Sequence, residues 1–116
     1  MKTARVIDAL RALAHEHRLA IFRLLVERGP AGRPAGQIAE RVGLPPSSLT
    51  FHLQHLQRAG LIAQRRASRQ LIYSADFTAM TALLGYLTDN CCAESAGPCC
   101  PPARPPKAAQ RAAKAA

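Results

Sequence analysis

The segment Pro46-Ser47-Ser48-Leu49-Thr50-Phe51-His52-Leu53-Gln54-His55-Leu56-Gln57-Arg58-Ala59-Gly60-Leu61-Ile62 carries its own start and stop signals. Leu49, Leu53 and Leu56 recur at i, i+4 and i+7, the spacing of one helix face. Pro46 suits a first helical turn and Gly60 a left-handed C-terminal cap, so a helix of about 13 residues is predicted. At ~100° per residue the three leucines fall within about 60° of one another. Ser47, Ser48, Phe51, Gln54, His55 and Arg58 then lie on the opposite face. Hydroxyls, an amide, an imidazole, a cation and an exposed ring are the groups that reach base edges or phosphates in a major groove. No acidic residue occurs from Val42 to Ala75.

The flanking sequence gives this helix its setting. Upstream, Gly29-Pro30-Ala31-Gly32-Arg33-Pro34 reads as a turn, followed by a short helix on Ala35, Ile38, Ala39 and Val42, which Gly43-Leu44-Pro45-Pro46 breaks. Downstream the period changes: Leu61–Arg66 and Gln70–Ala75 read as a hairpin around Ala67-Ser68-Arg69, with a basic tip. Further out, Val6, Leu10 and Leu13 form the stripe of an outer amphipathic helix, and Leu19–Val26 reads as a central helix apolar on nearly all sides. Phe77, Met80, Leu83, Leu84 and Leu87 mark a fifth helix running out near Asn90. The expectation is a mainly α fold of five helices with a small β-hairpin wing, the order of a winged helix-turn-helix. There the helix from Pro46 enters the major groove, and Arg65, Arg66 and Arg69 touch backbone or minor groove.

Composition agrees. The chain has 116 residues and a formal net charge of +9, with 48% hydrophobic residues but three Phe, two Tyr and no Trp. That is enough for one modest core, and a basic excess points to a polyanion, nucleic acid first and an anionic membrane surface second. No run approaches the ~20 apolar residues of a membrane span. Met1-Lys2-Thr3-Ala4-Arg5-Val6 leads into an amphipathic pattern rather than a signal core, so the protein is expected in the cytoplasm. No Ser/His/Asp or Cys/His set falls on one predicted element, so the chain is read as a non-enzyme. Composition shifts near residue 90. Residues 1–90 carry +6 and form the folded domain, residues 91–100 hold all four cysteines, and residues 101–116 are a Pro/Ala-rich basic tail expected to be disordered.

Ala12-Leu13-Ala14-His15-Glu16-His17-Arg18-Leu19-Ala20-Ile21, the Pro46–Ile62 segment and the hairpin together resemble the ArsR family of arsenic- and metal-responsive repressors over about residues 5–90. The resemblance implies a homodimer on a palindromic operator, formed through the first and last helices. It places DNA contacts at Ser47, Ser48, Thr50 and Phe51, with Gln54 and His55 behind them. Phe51 is unusual at its position. Relatives bind inducer in several places. The Cys-x-Cys site at the start of the third helix has no counterpart in Arg33-Pro34-Ala35-Gly36-Gln37. The Asp/His zinc site of the last helix is absent too, since Phe77–Asn90 offers only Asp89.

Cys91-Cys92, followed by Cys99-Cys100, resembles a subgroup whose arsenite site is a vicinal pair at the end of the last helix plus a nearby thiolate. Trivalent arsenic takes three soft thiolates in a pyramid. Cys91 and Cys92 can supply two, and Gly97-Pro98 can turn the chain so that Cys99 or Cys100 supplies the third. Antimonite, methylarsenite on two thiols, another soft metal such as zinc on four, and a thiol-oxidation switch stand as alternatives. The four histidines are assigned structural or DNA-facing roles. An architectural DNA coater is the competing class, because Pro105-Pro106-Lys107-Ala108-Ala109 resembles linker-histone tails. Such a protein would bind every sequence with the same steep salt dependence.

Overall fold

The computed structural model describes residues 1–94. Five helices and three short strands follow in the order α1 (Thr3–Leu13), α2 (Glu16–Arg28), β1 (Arg33–Pro34), α3 (Ala35–Val42), α4 (Pro46–Arg58), β2 (Ile62–Ala67), β3 (Gln70–Ala75) and α5 (Phe77–Thr88). Among the described residues no helix is long and apolar enough to cross a membrane. Residues 95–116, with Cys99, Cys100 and the basic tail, lie outside the described part.

The ends of α4 follow from its sequence. Pro46 occupies the first turn, and Gly60 adopts a φ of 77° just past the helix. The Gly60 amide donates to the Gln57 carbonyl at 3.0 Å and the Leu61 amide to the Leu56 carbonyl at 3.1 Å. These two bonds satisfy carbonyls that the last turn would otherwise leave unpaired, and they turn the chain sharply into β2. Gly43, with a φ of 71°, ends α3 in the same left-handed conformation. At the start of α5 the Asp76 carboxylate accepts from the Ala79 amide at 3.0 Å, an N-cap.

Leu49, Leu53 and Leu56 are buried as expected, against Ile21, Phe22 and Leu25 of α2, Ile38 of α3, and Leu61, Ile62 and Tyr73 of the sheet. Three expectations are corrected. The turn at 29–34 contains a strand: Arg33 and Pro34 pair antiparallel with Tyr73 and Ile72, so the hairpin becomes a three-stranded sheet of order β1-β3-β2. Proline is tolerated because β1 is an edge strand. Helix α1 faces the core with Val6, Ala9 and Ala12, the alanines letting the helix approach closely; Leu13 is partly buried against the same core, and of the expected stripe only Leu10 turns outward. Helix α2 is amphipathic rather than buried all round, with Leu19 exposed and Ile21, Phe22 and Leu25 inside. β3 lies at Gln70–Ala75 as expected, while smaller shifts place β2 at Ile62–Ala67 and end α5 at Thr88.

Candidate nucleic-acid interface

The outward face of α4 assembles six of the residues named from sequence. Ser47, Thr50, Phe51 and Gln54 are exposed, and Ser48 and His55 are half-buried. The Thr50 hydroxyl donates to the Pro46 carbonyl at 3.0 Å, leaving its oxygen as an acceptor toward solvent. Phe51 meets the His55 ring edge-on, with centroids 4.6 Å apart. The wing carries the other three. Arg65 and Arg66 sit on β2 opposite Ile72 and Leu71, and Arg69 stands at the tip beside Ser68, whose φ is 58°. All three arginines are exposed, and the Arg65 guanidinium donates to the Ala31 carbonyl at 2.8 Å, tying the wing to the turn before β1. A convex polar helix beside a cationic hairpin, with no carboxylate from Val42 to Ala75, has the shape and sign of a duplex-binding surface.

Behind this face lies a feature the sequence did not announce. His15, His17 and His52 converge where the joint between α1 and α2 meets α4, with ring centroids 4.7 Å apart for His15 and His52, 5.5 Å for His15 and His17, and 5.7 Å for His17 and His52. Two of them have a structural duty. His15 caps α2, its Nδ1 accepting from the His17 amide at 3.1 Å. Arg18 donates from Nε to the Ala12 carbonyl at 2.7 Å, satisfying an end of α1, and its Nη1 lies 3.4 Å from Nδ1 of His52. His52 is buried at 7% exposure beside the Arg18 guanidinium. Because the guanidinium can only donate, His52 Nδ1 accepts and the ring is neutral. Among the described residues no set of three or more His, Cys, Asp or Glu is arranged to hold a metal ion. The only local sequence signal was a histidine in the capping position just before an apolar run.

Burial first, then the neighbouring His15, Arg18, His17 and His55, hold the His52 imidazole below its ordinary pKa. The unfolded chain therefore binds a proton at higher pH than the folded one. The stability this group contributes is complete above about 6.5 and is lost as pH falls through and below that value. Thermal melts of the native chain should show Tm declining from pH 7 to 5. His52→Gln, which keeps an acceptor for Arg18 but does not titrate, should flatten that decline; an unchanged slope would move the effect to another group.

Of the four cysteines, Cys91 and Cys92 fall within the described residues, in turns just beyond α5, with sulfurs 3.6 Å apart. Both are disulfide-bonded, though not to each other, since that separation far exceeds the ~2.05 Å of an S–S bond. On the last helix itself, Leu84, Tyr86 and Leu87 are exposed, as are Ile7 and Leu10 of α1.

Residues 13–65, from the end of α1 through the start of the wing, match a family described as a helix-turn-helix domain. The HTH-type transcriptional regulator YgaV of Escherichia coli is 31% identical over 83 residues, which are 72% of this chain and 82% of YgaV. Among solved structures, the homodimeric winged helix-turn-helix DNA-binding domain Mb0332 of Mycobacterium bovis, described as a possible ArsR-family transcriptional regulator, superposes with a TM-score of 0.60. It is 29% identical, over 75% of this chain and 81% of that one. The chain belongs to the ArsR family of winged helix-turn-helix transcriptional regulators. The nodulation protein NolR of Rhizobium meliloti is 36% identical over 80 residues, 69% of this chain, and the match spans only 63% of NolR. ArsR-family proteins are DNA-binding regulators and not enzymes.

Proposed function

We propose that this ArsR-family chain is an arsenite-responsive repressor. It binds operator DNA as a homodimer through α4 and the wing, and leaves the operator when trivalent arsenic binds thiolates of Cys91, Cys92 and either Cys99 or Cys100. The observation that carries the reading is the placement of the vicinal pair. Cys91 and Cys92 follow directly on α5, with sulfurs 3.6 Å apart, close enough for one soft ion to engage both once reduced. Zinc thiolate sites, at about 2.3 Å per bond, hold their sulfurs at a similar spacing. The exposed Ile7, Leu10, Leu84, Tyr86 and Leu87 support a dimer through α1 and α5, and the Mycobacterium bovis relative is homodimeric. An ion gathering sulfurs at the end of a dimer-forming helix biases the angle between protomers. A coupling of about 1–3 kcal/mol lowers operator affinity about 5- to 150-fold.

The disulfide-bonded state of Cys91 and Cys92 favours one second reading, in which thiol oxidation is the signal. A single experiment separates the two. Operator release is followed by fluorescence anisotropy on the reduced full chain with arsenite, methylarsenite, antimonite or zinc, and on the oxidised chain without them. Release by arsenite from the reduced chain is the expected result. Release on oxidation alone transfers the function to redox sensing, and indifference to all of them removes the cysteines from regulation.

A further inference from the structure

Phe51 is out of character with its surroundings. Its ring is 55% exposed on a helix face otherwise made of hydroxyls, amides, an imidazole and a cation. The ring is nonetheless held in place. His55 packs edge-on against it at 4.6 Å and His52 at 5.5 Å, both inclined at 68°. His52 is itself buried and fixed against Arg18. Phe51 is thus a preset apolar knob on the convex side of α4, and the side chain of Gln54 stands beside it at i+3 on the same face.

The apolar group displayed on base edges in the major groove is the C5 methyl of thymine, and a phenyl ring is among the side chains that contact it, while glutamine pairs with N6 and N7 of adenine. Resting on the reading of α4 as the helix that contacts operator DNA, we propose that Phe51 is a specificity-determining residue that packs its ring on a thymine methyl and selects an A·T pair in each half-site. The contact removes from water both the exposed ring and the methyl group, and its strength depends on the methyl being there.

The test uses the full chain, reduced and without inducer. Its preferred site is selected from randomised duplexes, and each thymine is then replaced in turn by deoxyuridine, which removes only the methyl. One position per half-site should lose affinity about fourfold, the effect of one methyl-sized group. Phe51→Ala should bind more weakly and no longer distinguish thymine from uracil there. Phe51→Leu, which stays apolar, should keep part of the distinction. The exposure of Phe51 makes both variants compatible with the fold, which a circular dichroism melt verifies. A defined preferred site with no thymine sensitive to the exchange overturns the proposal while leaving operator binding intact, as does Phe51→Ala that still discriminates. A selection that returns no preferred sequence fails differently: it overturns the assignment of α4 as a sequence reader, and the role of Phe51 with it.

Discussion

Gly32→Ala is expected to destabilise the domain by about 2–4 kcal/mol, lowering Tm by roughly 10 °C or more. Gly32 lies in the turn between α2 and β1 with a φ of +69°, a left-handed conformation that an L side chain adopts only at a cost. Space is short as well. A Cβ there would come within 2.5 Å of the Tyr73 carbonyl oxygen and 2.9 Å of Ile72 Cγ2, both on β3, where backbone cannot yield without breaking the pairing of β1 with β3. Gly36 is the control. It sits in α3 with nothing within 4 Å of an added Cβ and no positive φ, so Gly36→Ala should be neutral or stabilising by up to about 1 kcal/mol. If the two variants melted alike, β1 would not be packed on β3 in solution.

The same region marks where sequence reasoning stopped. Helix α4 was legible because three leucines at helical spacing, a proline at one end and a glycine at the other all specify the same element. The hairpin was legible because two short extended segments, Leu61–Arg66 and Gln70–Ala75, flank Ala67-Ser68-Arg69. Strand β1 was not, since two residues, one of them proline, have no alternation to detect, and the pairing that makes them a strand lies nearly forty residues downstream. Ala9 and Ala12 on the core face of α1 were missed because leucine outweighs alanine in any count of apolar residues. Packing instead favoured the small Ala9 and Ala12, which are 0% and 6% exposed. The imidazole cluster was invisible for a third reason: His15 and His17 meet His52 only through the crossing of α2 and α4. The outward placement of the polar α4 face was readable from a helical wheel. That Arg65 is bonded to Ala31 was not.

The second large effect concerns the cysteines. In the reduced chain, Cys91→Ser or Cys92→Ser is expected to abolish arsenite-induced release, removing the whole 5- to 150-fold change in affinity that a coupling of about 1–3 kcal/mol implies. Operator affinity without arsenite should be unchanged. A serine hydroxyl keeps the shape of the thiol but does not ionise near neutral pH to give a soft ligand. Both positions lie beyond the end of α5, with Cys91 exposed and Cys92 half-buried, so neither substitution disturbs the core. Cys99→Ser and Cys100→Ser should each leave induction largely intact if either sulfur can complete the site, and the double variant should lose it. Anisotropy titrations of the labelled operator, with and without arsenite, read all of these. Loss of DNA binding in every variant would instead identify a metal required for folding.

The bond from Arg65 to the Ala31 carbonyl bears on how any such signal can act. With β1 paired to β3 and the wing moored to the turn ahead of it, the hairpin has no hinge of its own. Helix α4 packs with Leu61, Ile62 and Tyr73 in one core, so on the proposed function helix and wing would meet the duplex as one footprint. On the proposed function the adjustable quantity is the distance between two such footprints, so the dimer would tell operators apart by half-site spacing as sharply as by sequence. Inserting a single base pair between the half-sites would mimic the inducer.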